Sequence, residues 1–173
     1  MKFTTKKIVL AGVMAAMVTI GTMLIHVPTP TKGYIHIGDS LVYLAGILLG
    51  PVLGSLAAGL GSMISDLLLG YAVYAVPTFI IKALDAFVVG YLYLKLSKNK
   101  TSVTEKSFSY IISFVAGGAV MVLGYLAFET FLYGFIPATA GVVSNTIQAI
   151  GGGILGYPLL IALEKTDLRK YIE

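Results

Sequence analysis

Long apolar stretches separated by short polar segments are the main pattern of this chain. A helix needs roughly 17–25 apolar residues to cross about 30 Å of hydrocarbon. The pattern predicts six spans, at residues 8–25, 37–49, 51–69, 77–94, 107–128 and 137–163. Segment 37–49 is short, so we expect it to be tilted or broken and to end in a tight helical hairpin at Gly50-Pro51. Proline suits such a helix start, because its missing N–H has no partner there.

The composition places these helices in a membrane. Hydrophobic residues make up 57% of the chain and the mean hydropathy is +0.91, which is too apolar for a soluble globule. We therefore expect an all-α integral membrane protein, a six-helix bundle that forms a single transmembrane domain over residues 1–173. The chain has no cysteine, which excludes disulfides, a thiol nucleophile and a cysteine metal site.

The basic residues predict the orientation of the bundle. Ten of the twelve Lys and Arg residues fall on one side of a six-span topology. Cytoplasmic loops are enriched in Lys and Arg, so both termini are expected inside. The first span is expected to be retained as a transmembrane helix rather than cleaved as a signal peptide. Although the net charge is +4, the basic residues flank apolar spans, which favours a role in topology over nucleic-acid binding.

Polar residues inside the apolar segments concentrate in the predicted outer half of the membrane. Thr78, Lys82 and Asp85 follow one stripe of a helix at spacings of four and three residues. Asn145 and Gln148 share a face of the last span, and further polar or aromatic positions near this depth are Glu129, Tyr43 and Tyr74. Ionisable groups in hydrocarbon are costly and tend to mark functional sites. The distribution predicts an outward-facing pocket.

Structural interpretations remain open for several of these residues. Asp39 follows Gly38 at a helix start and is expected mainly to cap backbone N–H groups. Asp66, Lys82 and Asp85 could form a buried ionic network that only holds helices together. Asn145 and Gln148 could be interhelical hydrogen bonds, as polar side chains in membrane helices often are.

Motifs for catalysis or cofactor binding have almost no support. Gly151, Gly153 and Gly156 match G-x-G-x-x-G, but they lie within an apolar helix, whereas a dinucleotide site needs a preceding strand. No P-loop and no metal-ligand spacing is present. We expect no catalytic residue, no metal and no cofactor. The remaining enzymatic alternative is an acid/base pair formed by Asp66 and Asp85.

Two long segments of the chain resemble those of a known protein family. The segment HIGDSLVYLAGILLGPVLGSLAAGLGSMISDLLLGY, followed by PTFIIKALDAFVVGYLY, resembles the membrane-embedded S components of energy-coupling factor (ECF) vitamin transporters. The inner-side lysines and the small residues Ala11 and Ala15, four apart on the first helix, belong to the same resemblance. It covers most of the chain and is strongest over residues 34–91.

The resemblance implies a non-catalytic subunit of the cell membrane. Such a subunit captures a vitamin or precursor from outside, docks on a transmembrane coupling subunit that carries two ATPase subunits, and topples to release its substrate inward. Its partners would be the vitamin, membrane lipid and those subunits, with no nucleic acid. Docking would use Ala11 and Ala15. The pocket of the family corresponds here to Tyr74, Thr78, Lys82, Glu129, Asn145 and Gln148, and Tyr43 is placed to extend its wall.

Within this family, the chain resembles the branch assigned to pyridoxine or hydroxymethylpyrimidine, with a riboflavin-specific S component as the alternative. Asn and Gln could pair with the ring nitrogens and hydroxyls of a heterocycle, and Tyr could stack on it. Two hypotheses from other classes are an intramembrane enzyme and a structural assembly subunit, in which the polar groups only join helices.

Overall fold

Within the described residues, the fold is helical apart from one short hairpin. A computed structural model describes residues 4–29 and 34–166 of the chain. Thr4 caps the first helix with its side chain, which accepts a hydrogen bond from the backbone N–H of Lys7. The elements are α1 Thr5–Leu24, β1 His26–Pro28, β2 Tyr34–His36, α2 Asp39–Leu68, α3 Ala72–Ser97, α4 Val103–Tyr133 and α5 Phe135–Lys165.

The predicted six-helix bundle is wrong, because the described residues contain five helices, each long and apolar enough to cross a membrane. Segments 37–49 and 51–69, expected to be separate spans, belong to the single element α2. The change of direction between them is made by Gly50 alone, whose φ of 79° and ψ of 172° are not helical. Pro51 resumes the helix at once, without needing an N–H partner, so no loop separates two helices.

The two limbs of α2, residues 39–49 and 51–68, pack against each other. A Cβ on Gly54 would overlap the carbonyl oxygen of Ala45, nine residues earlier in the chain. In a straight helix these residues would be about 13 Å apart. The limbs are therefore folded back on one another, and both ends of α2 lie at the same end of the bundle.

Glycines also set the spacing between α2 and α3. A Cβ on Gly46 would overlap the carbonyl oxygen of Ala86, and a Cβ on Gly90 would overlap that of Gly46. Glycine at such positions lets two helix backbones approach closely, which is a common way to pack membrane helices. The first limb thereby becomes the centre of the core, with Val42, Tyr43 and Ala45 fully buried.

The outer surface of the bundle is apolar. Side chains such as Ile20, Leu123 and Ile154 are 60% or more exposed, while many polar residues are buried inside. In water this arrangement would be unfavourable, whereas in lipid it places hydrocarbon against hydrocarbon. Helix α1 is the least buried of these five helices: 22% of the residues in its apolar segment are buried, compared with 61% for α2.

We expect Gly54→Ala to destabilise the fold, because the new methyl group collides with the Ala45 carbonyl where the limbs cannot separate. Overpacking of this kind costs about 1–3 kcal/mol. The midpoint of thermal unfolding in detergent, followed by circular dichroism, measures the effect. Gly12→Ala is the matched control, since a Cβ there meets no atom within 4 Å. Equal midpoints for the two variants would contradict the folded-back arrangement of the limbs.

Candidate functional site

A small cavity lies at the end of the bundle where α2 begins and ends. Its volume is about 30 Å³, enough for one or two water molecules. Residues from the hairpin region, α2, α3, α4 and α5 contribute to its wall. The lining residues in the described part of the chain are Thr29, Tyr34, His36, Asp66, Tyr74, Thr78, Tyr125, Glu129, Gly141, Ser144, Asn145 and Gln148.

The β-hairpin forms the roof of this cavity. Strands β1 and β2 pair antiparallel, with His26 opposite His36 and Pro28 opposite Tyr34. Alternate residues of a strand point to the same face, so Tyr34 and His36 both reach the cavity. The Tyr34 hydroxyl donates to Asp66 Oδ1 at 2.7 Å, and the His36 backbone N–H donates to Gln148 Oε1 at 3.0 Å. The roof is thus bonded to α2 and α5.

Tyr34 and His36, which line the cavity from the roof, are uncharged at neutral pH. Burial lowers the pKa of His36 to about 4, and its Nδ1 accepts a hydrogen bond of 3.0 Å from the Gly38 backbone N–H, which only a deprotonated nitrogen can do. Burial also raises the pKa of Tyr34, with the adjacent Asp66 carboxylate adding to the effect. Tyr34 and His36 therefore add no positive charge to the site.

Tyrosine hydroxyls organise the side walls. The Tyr74 hydroxyl donates to Glu129 Oε1 at 3.3 Å, and the Tyr125 hydroxyl donates to Thr78 Oγ1 at 3.1 Å. Helix α5 leaves room for the Glu129 carboxylate through Gly141, where a Cβ would overlap Glu129 Oε2. The wall therefore combines aromatic faces, hydroxyl groups and a carboxylate, as small-molecule sites do.

Directly behind the cavity, a chain of buried polar contacts joins three helices to the roof. Lys82 Nζ donates to Asp39 Oδ1, and Gln148 Nε2 donates to Asp39 Oδ2 at 2.9 Å. The other end of the same Gln148 amide accepts the bond from His36. Asp39 therefore uses both oxygens on side chains of other helices, rather than on the start of its own helix, where we expected it to act as a cap.

The residues predicted for the site divide into two groups. Five of them line the cavity, namely Tyr74, Thr78, Glu129, Asn145 and Gln148. The other two, Lys82 and Tyr43, are fully buried outside it: Lys82 contacts Asp39 and the sulfur of Met121, 2.6 Å away, and the Tyr43 hydroxyl donates to the carbonyl of Ala149 at 3.2 Å.

Sequence reasoning did not assign Thr29, Tyr34, His36, Tyr125, Gly141 or Ser144 to the site, and it left the role of Asp66 open. Two of these carried a usable signal. Tyr125 lies four residues before Glu129, and Ser144 lies four before Gln148, so each shares a helix face with a predicted residue. Tyr34 and His36 had no such signal, because a three-residue strand is too short to show a period.

The two aspartates of the enzymatic hypothesis occupy different environments. Asp66 lines the cavity, whereas Asp85 is fully buried elsewhere, with neither of its carboxylate oxygens bonded within residues 4–29 and 34–166. In that same part of the chain, no group of three or more His, Cys, Asp or Glu side chains could hold a metal ion.

The small residues of α1 lie on two faces of the helix, and those expected to dock a partner, Ala11 and Ala15, share one of them. Ala11 and Ala15 are half-buried and pack against the core. Gly12 and Ala16, one position further along, are exposed, and a Cβ on Gly12 would meet nothing within 4 Å. The lipid-facing surface of α1 therefore carries its own pair of small residues four apart.

Comparison with known proteins gives concordant results. Residues 2–165 match the family model described as "ECF-type riboflavin transporter, S component". An uncharacterised protein of Pyrococcus woesei is 36% identical over 149 residues, covering 86% of this chain and 95% of that protein. A UPF0397 protein of Vibrio atlanticus (strain LGP32) is 28% identical, with 96% of this chain and 95% of that protein covered.

A solved structure of the S component of a bacterial ECF transporter shares the fold. The TM-score is 0.69 at 22% sequence identity, and the match covers 91% of this chain and 95% of the solved one. At this level of identity the likeness concerns the path of the backbone.

We expect Lys82→Met to destabilise the protein, since it leaves the buried Asp39 carboxylate without a cation. Removing one partner of a buried ion pair costs about 3–5 kcal/mol. Adding Asp39→Asn should recover much of the loss, because an amide carries no charge and still accepts from Gln148. Thermal unfolding in detergent measures both effects.

The control is Lys106→Met, which breaks the partly exposed pair of Lys106 and Glu164, 2.5 Å apart at the opposite end of the bundle. Such pairs contribute about 0–1 kcal/mol. If Lys82→Met and Lys106→Met lowered the unfolding temperature equally, the buried Lys82–Asp39 pair would stabilise the fold no more than a partly exposed pair does.

Proposed function

This chain belongs to the family of ECF-type riboflavin transporter S components, and we propose that it captures a small heterocyclic vitamin or vitamin precursor from outside the cell. Like its family, it is a non-catalytic, multi-pass membrane subunit, in agreement with its five apolar helices. The proposed cycle continues with docking on a transmembrane coupling subunit, at which two ATPase subunits supply the energy.

One observation carries the proposal: a polar cavity lies at one end of the bundle, beneath a hairpin that is hydrogen-bonded to two helices, whereas the sides of the bundle are apolar. A structural assembly subunit has no need of such a cavity. At about 30 Å³ it is far below the roughly 300–1,000 Å³ of ligand sites. A vitamin therefore fits only after the roof contacts of Tyr34 and His36 have opened.

The distribution of charge supports an outward-facing cavity. The basic residues of the described helix ends and loops cluster at the end opposite the cavity. They are Lys6, Lys7, Lys95, Lys98, Lys100, Lys106 and Lys165. Because lysine and arginine favour the cytoplasmic side, the hairpin end is the one proposed to meet substrate outside.

For the substrate we propose pyridoxine or hydroxymethylpyrimidine. Tyrosine rings at the cavity suit a flat ring, and the Asn145 amide can both donate and accept hydrogen bonds. Riboflavin is the second candidate, because the matching family model carries that name. Calorimetry with the purified chain and each of the three compounds identifies the one that binds. We expect the isolated chain to bind one molecule of it and to hydrolyse no ATP.

We expect Asn145→Ala to weaken binding of that ligand about threefold to tenfold, the range for one lost hydrogen bond. Thr146→Val is the control, since Thr146 is exposed on another face of the same helix and donates to the carbonyl of Val142. Calorimetry measures both dissociation constants. A folded protein that binds no vitamin would reject the transport function, and equal affinities for the two variants would reject the role of Asn145 alone.

For docking, we propose the exposed face of α1 around Gly12 and Ala16. The family resemblance implied Ala11 and Ala15, but these residues pack against the core. A bulky residue there would disturb the bundle as well as any partner contact. Gly12 and Ala16 instead allow another helix to approach α1 closely from outside.

We expect Gly12→Leu to abolish vitamin uptake in cells that contain the coupling and ATPase subunits, while the affinity of the purified chain stays unchanged. Bulk at Gly12 blocks close helix approach without touching the cavity. Gly151→Leu is the matched control, because a Cβ at Gly151 also meets nothing within 4 Å and this residue lies on α5. Uptake that survives in Gly12→Leu, or is lost equally in Gly151→Leu, would exclude this docking face.

A further inference from the structure

An apolar groove runs between α1, α5 and the first limb of α2. Its volume is about 410 Å³, and its wall is formed by residues within 10–17, 41–48 and 159–166. Helix α1 packs mainly against α2, whereas α5 packs mainly against α4 and α2, so a cleft remains between α1 and α5. Among the lining residues that the structure describes, only Thr166 has a polar side chain. In a membrane such a groove faces hydrocarbon rather than water.

The groove has the extent and the depth of one membrane leaflet. Each of the three segments spans eight residues, so the groove extends about 10 Å along the helices, which is less than half of the roughly 30 Å hydrocarbon core. Thr166 directly follows the last residue of α5, and Leu10 lies five residues after Thr5, the first residue of α1. Both belong to the end of the bundle that the proposed orientation places in the cytoplasm. The groove is therefore within reach of lipids of the cytoplasmic leaflet.

Lysines lie at the cytoplasmic mouth of this groove. Lys7 precedes Leu10 by three residues, and residues with this spacing are neighbours on a helix surface. Lys165 is the last residue of α5 and so lies beside the end of the α5 wall. The neighbouring Glu164 is paired with Lys106, so its carboxylate is already balanced. Lys7 and Lys165 can therefore attract a negatively charged headgroup at the mouth.

A second apolar groove, between α4 and α5, differs from the first in this respect. Its volume is similar, about 480 Å³, and Val115, Val122 and Ile150 are among its lining residues. Its wall on α4 begins at Phe114, eight residues or about 12 Å beyond Lys106. On α5 its wall lies still further from Lys165. The two grooves are thus alike in size and apolar lining, but only the first has lysines of its own helices close to its mouth.

We propose that the groove between α1 and α5 is a binding site for one anionic phospholipid of the cytoplasmic leaflet. An acyl chain lies in the groove, the headgroup phosphate contacts Lys7, and Lys165 adds to the attraction. Each lysine near a membrane surface favours an anionic lipid by about fivefold. The bound chain contacts α1 and α5 together, and so holds the least buried helix to the bundle. This site is separate from the cavity beneath the hairpin and does not depend on vitamin capture.

The C-terminal segment 167–173, DLRKYIE, is a poor alternative occupant. Four of its seven side chains are charged, and charged groups are costly to place against an apolar wall within a membrane. A lipid instead combines a long apolar chain with a charge at one end, which is the pattern that the groove and its lysines match.

Native mass spectrometry of the purified chain tests the headgroup preference. The chain is mixed with phosphatidylglycerol and phosphatidylcholine of identical acyl chains, and the lipids that remain bound are counted. We expect phosphatidylglycerol to bind about 5- to 25-fold more tightly, the effect of one or two lysines. Lys7→Gln should reduce this preference about fivefold. Lys98→Gln is the matched control and should leave it unchanged, because Lys98 lies at the same end of the bundle but caps α3, which is outside the groove wall.

A second pair of variants tests the place of the acyl chain. Ala162→Phe puts a ring into the groove from its α5 wall and should weaken phosphatidylglycerol binding about tenfold, because the space is already taken. Ala119→Phe is the matched control, since Ala119 is likewise an exposed alanine but lines the groove between α4 and α5. It should leave phosphatidylglycerol binding unchanged. Thermal unfolding in detergent verifies that all four variants are folded.

Three results would overturn the inference. The first is equal affinity of the wild-type chain for the two lipids, or an equal loss of preference in Lys7→Gln and Lys98→Gln. The second is phosphatidylglycerol binding that survives Ala162→Phe. The third is a dimer in detergent that Ala162→Phe converts to a monomer, because a second copy of the chain would then cover the groove. None of these results changes the expected binding of a vitamin beneath the hairpin.

Discussion

The buried ion pair of Lys82 and Asp39 is the contact on which the geometry of the site depends. Each group alone would be a charge in a low-dielectric interior, at a cost of several kcal/mol, so neither side chain can leave the other. The second oxygen of Asp39 fixes the amide of Gln148, and that amide holds the backbone of His36. One electrostatic requirement thus positions α2, α3, α5 and the hairpin roof relative to one another.

Close packing of the helix backbones is the second constraint, because it brings Lys82 within contact distance of Asp39. Gly46 and Gly90 bring the first limb of α2 against α3, while a Cβ on Gly152 would overlap that of Asp39. With larger residues the helices would stand further apart, and Lys82 could not reach across to Asp39. The polar contacts at the centre of the bundle therefore depend on the glycines that let the surrounding helices approach closely.

Four of the six predicted spans, 8–25, 77–94, 107–128 and 137–163, correspond to separate helices of the structure, because apolar length is a local property of a sequence. The prediction of a separate helix over residues 37–49 was wrong. A glycine can turn the chain sharply inside one element, and the local sequence does not distinguish such a turn from a boundary between two helices. Five lining residues were predicted from their depth and shared faces. Depth could not show that Lys82 has Asp39 as its partner, since that contact joins residues 43 positions apart. Nor could it show that Tyr34 reaches Asp66, 32 positions away.

The neutral imidazole of His36 makes the roof sensitive to acid. Its Nδ1 holds the Gly38 N–H at the start of α2, and protonation would turn this acceptor into a second donor facing the first. Since the pKa is about 4 in the folded protein and near 6.5 in an unfolded chain, the unfolded state binds more protons between these values. The contribution of His36 to the free energy of unfolding is fully present above about pH 6.5 and decreases as the pH falls toward 4. In the proposed orientation the hairpin faces the medium, so external acidity would act on the element that covers the cavity.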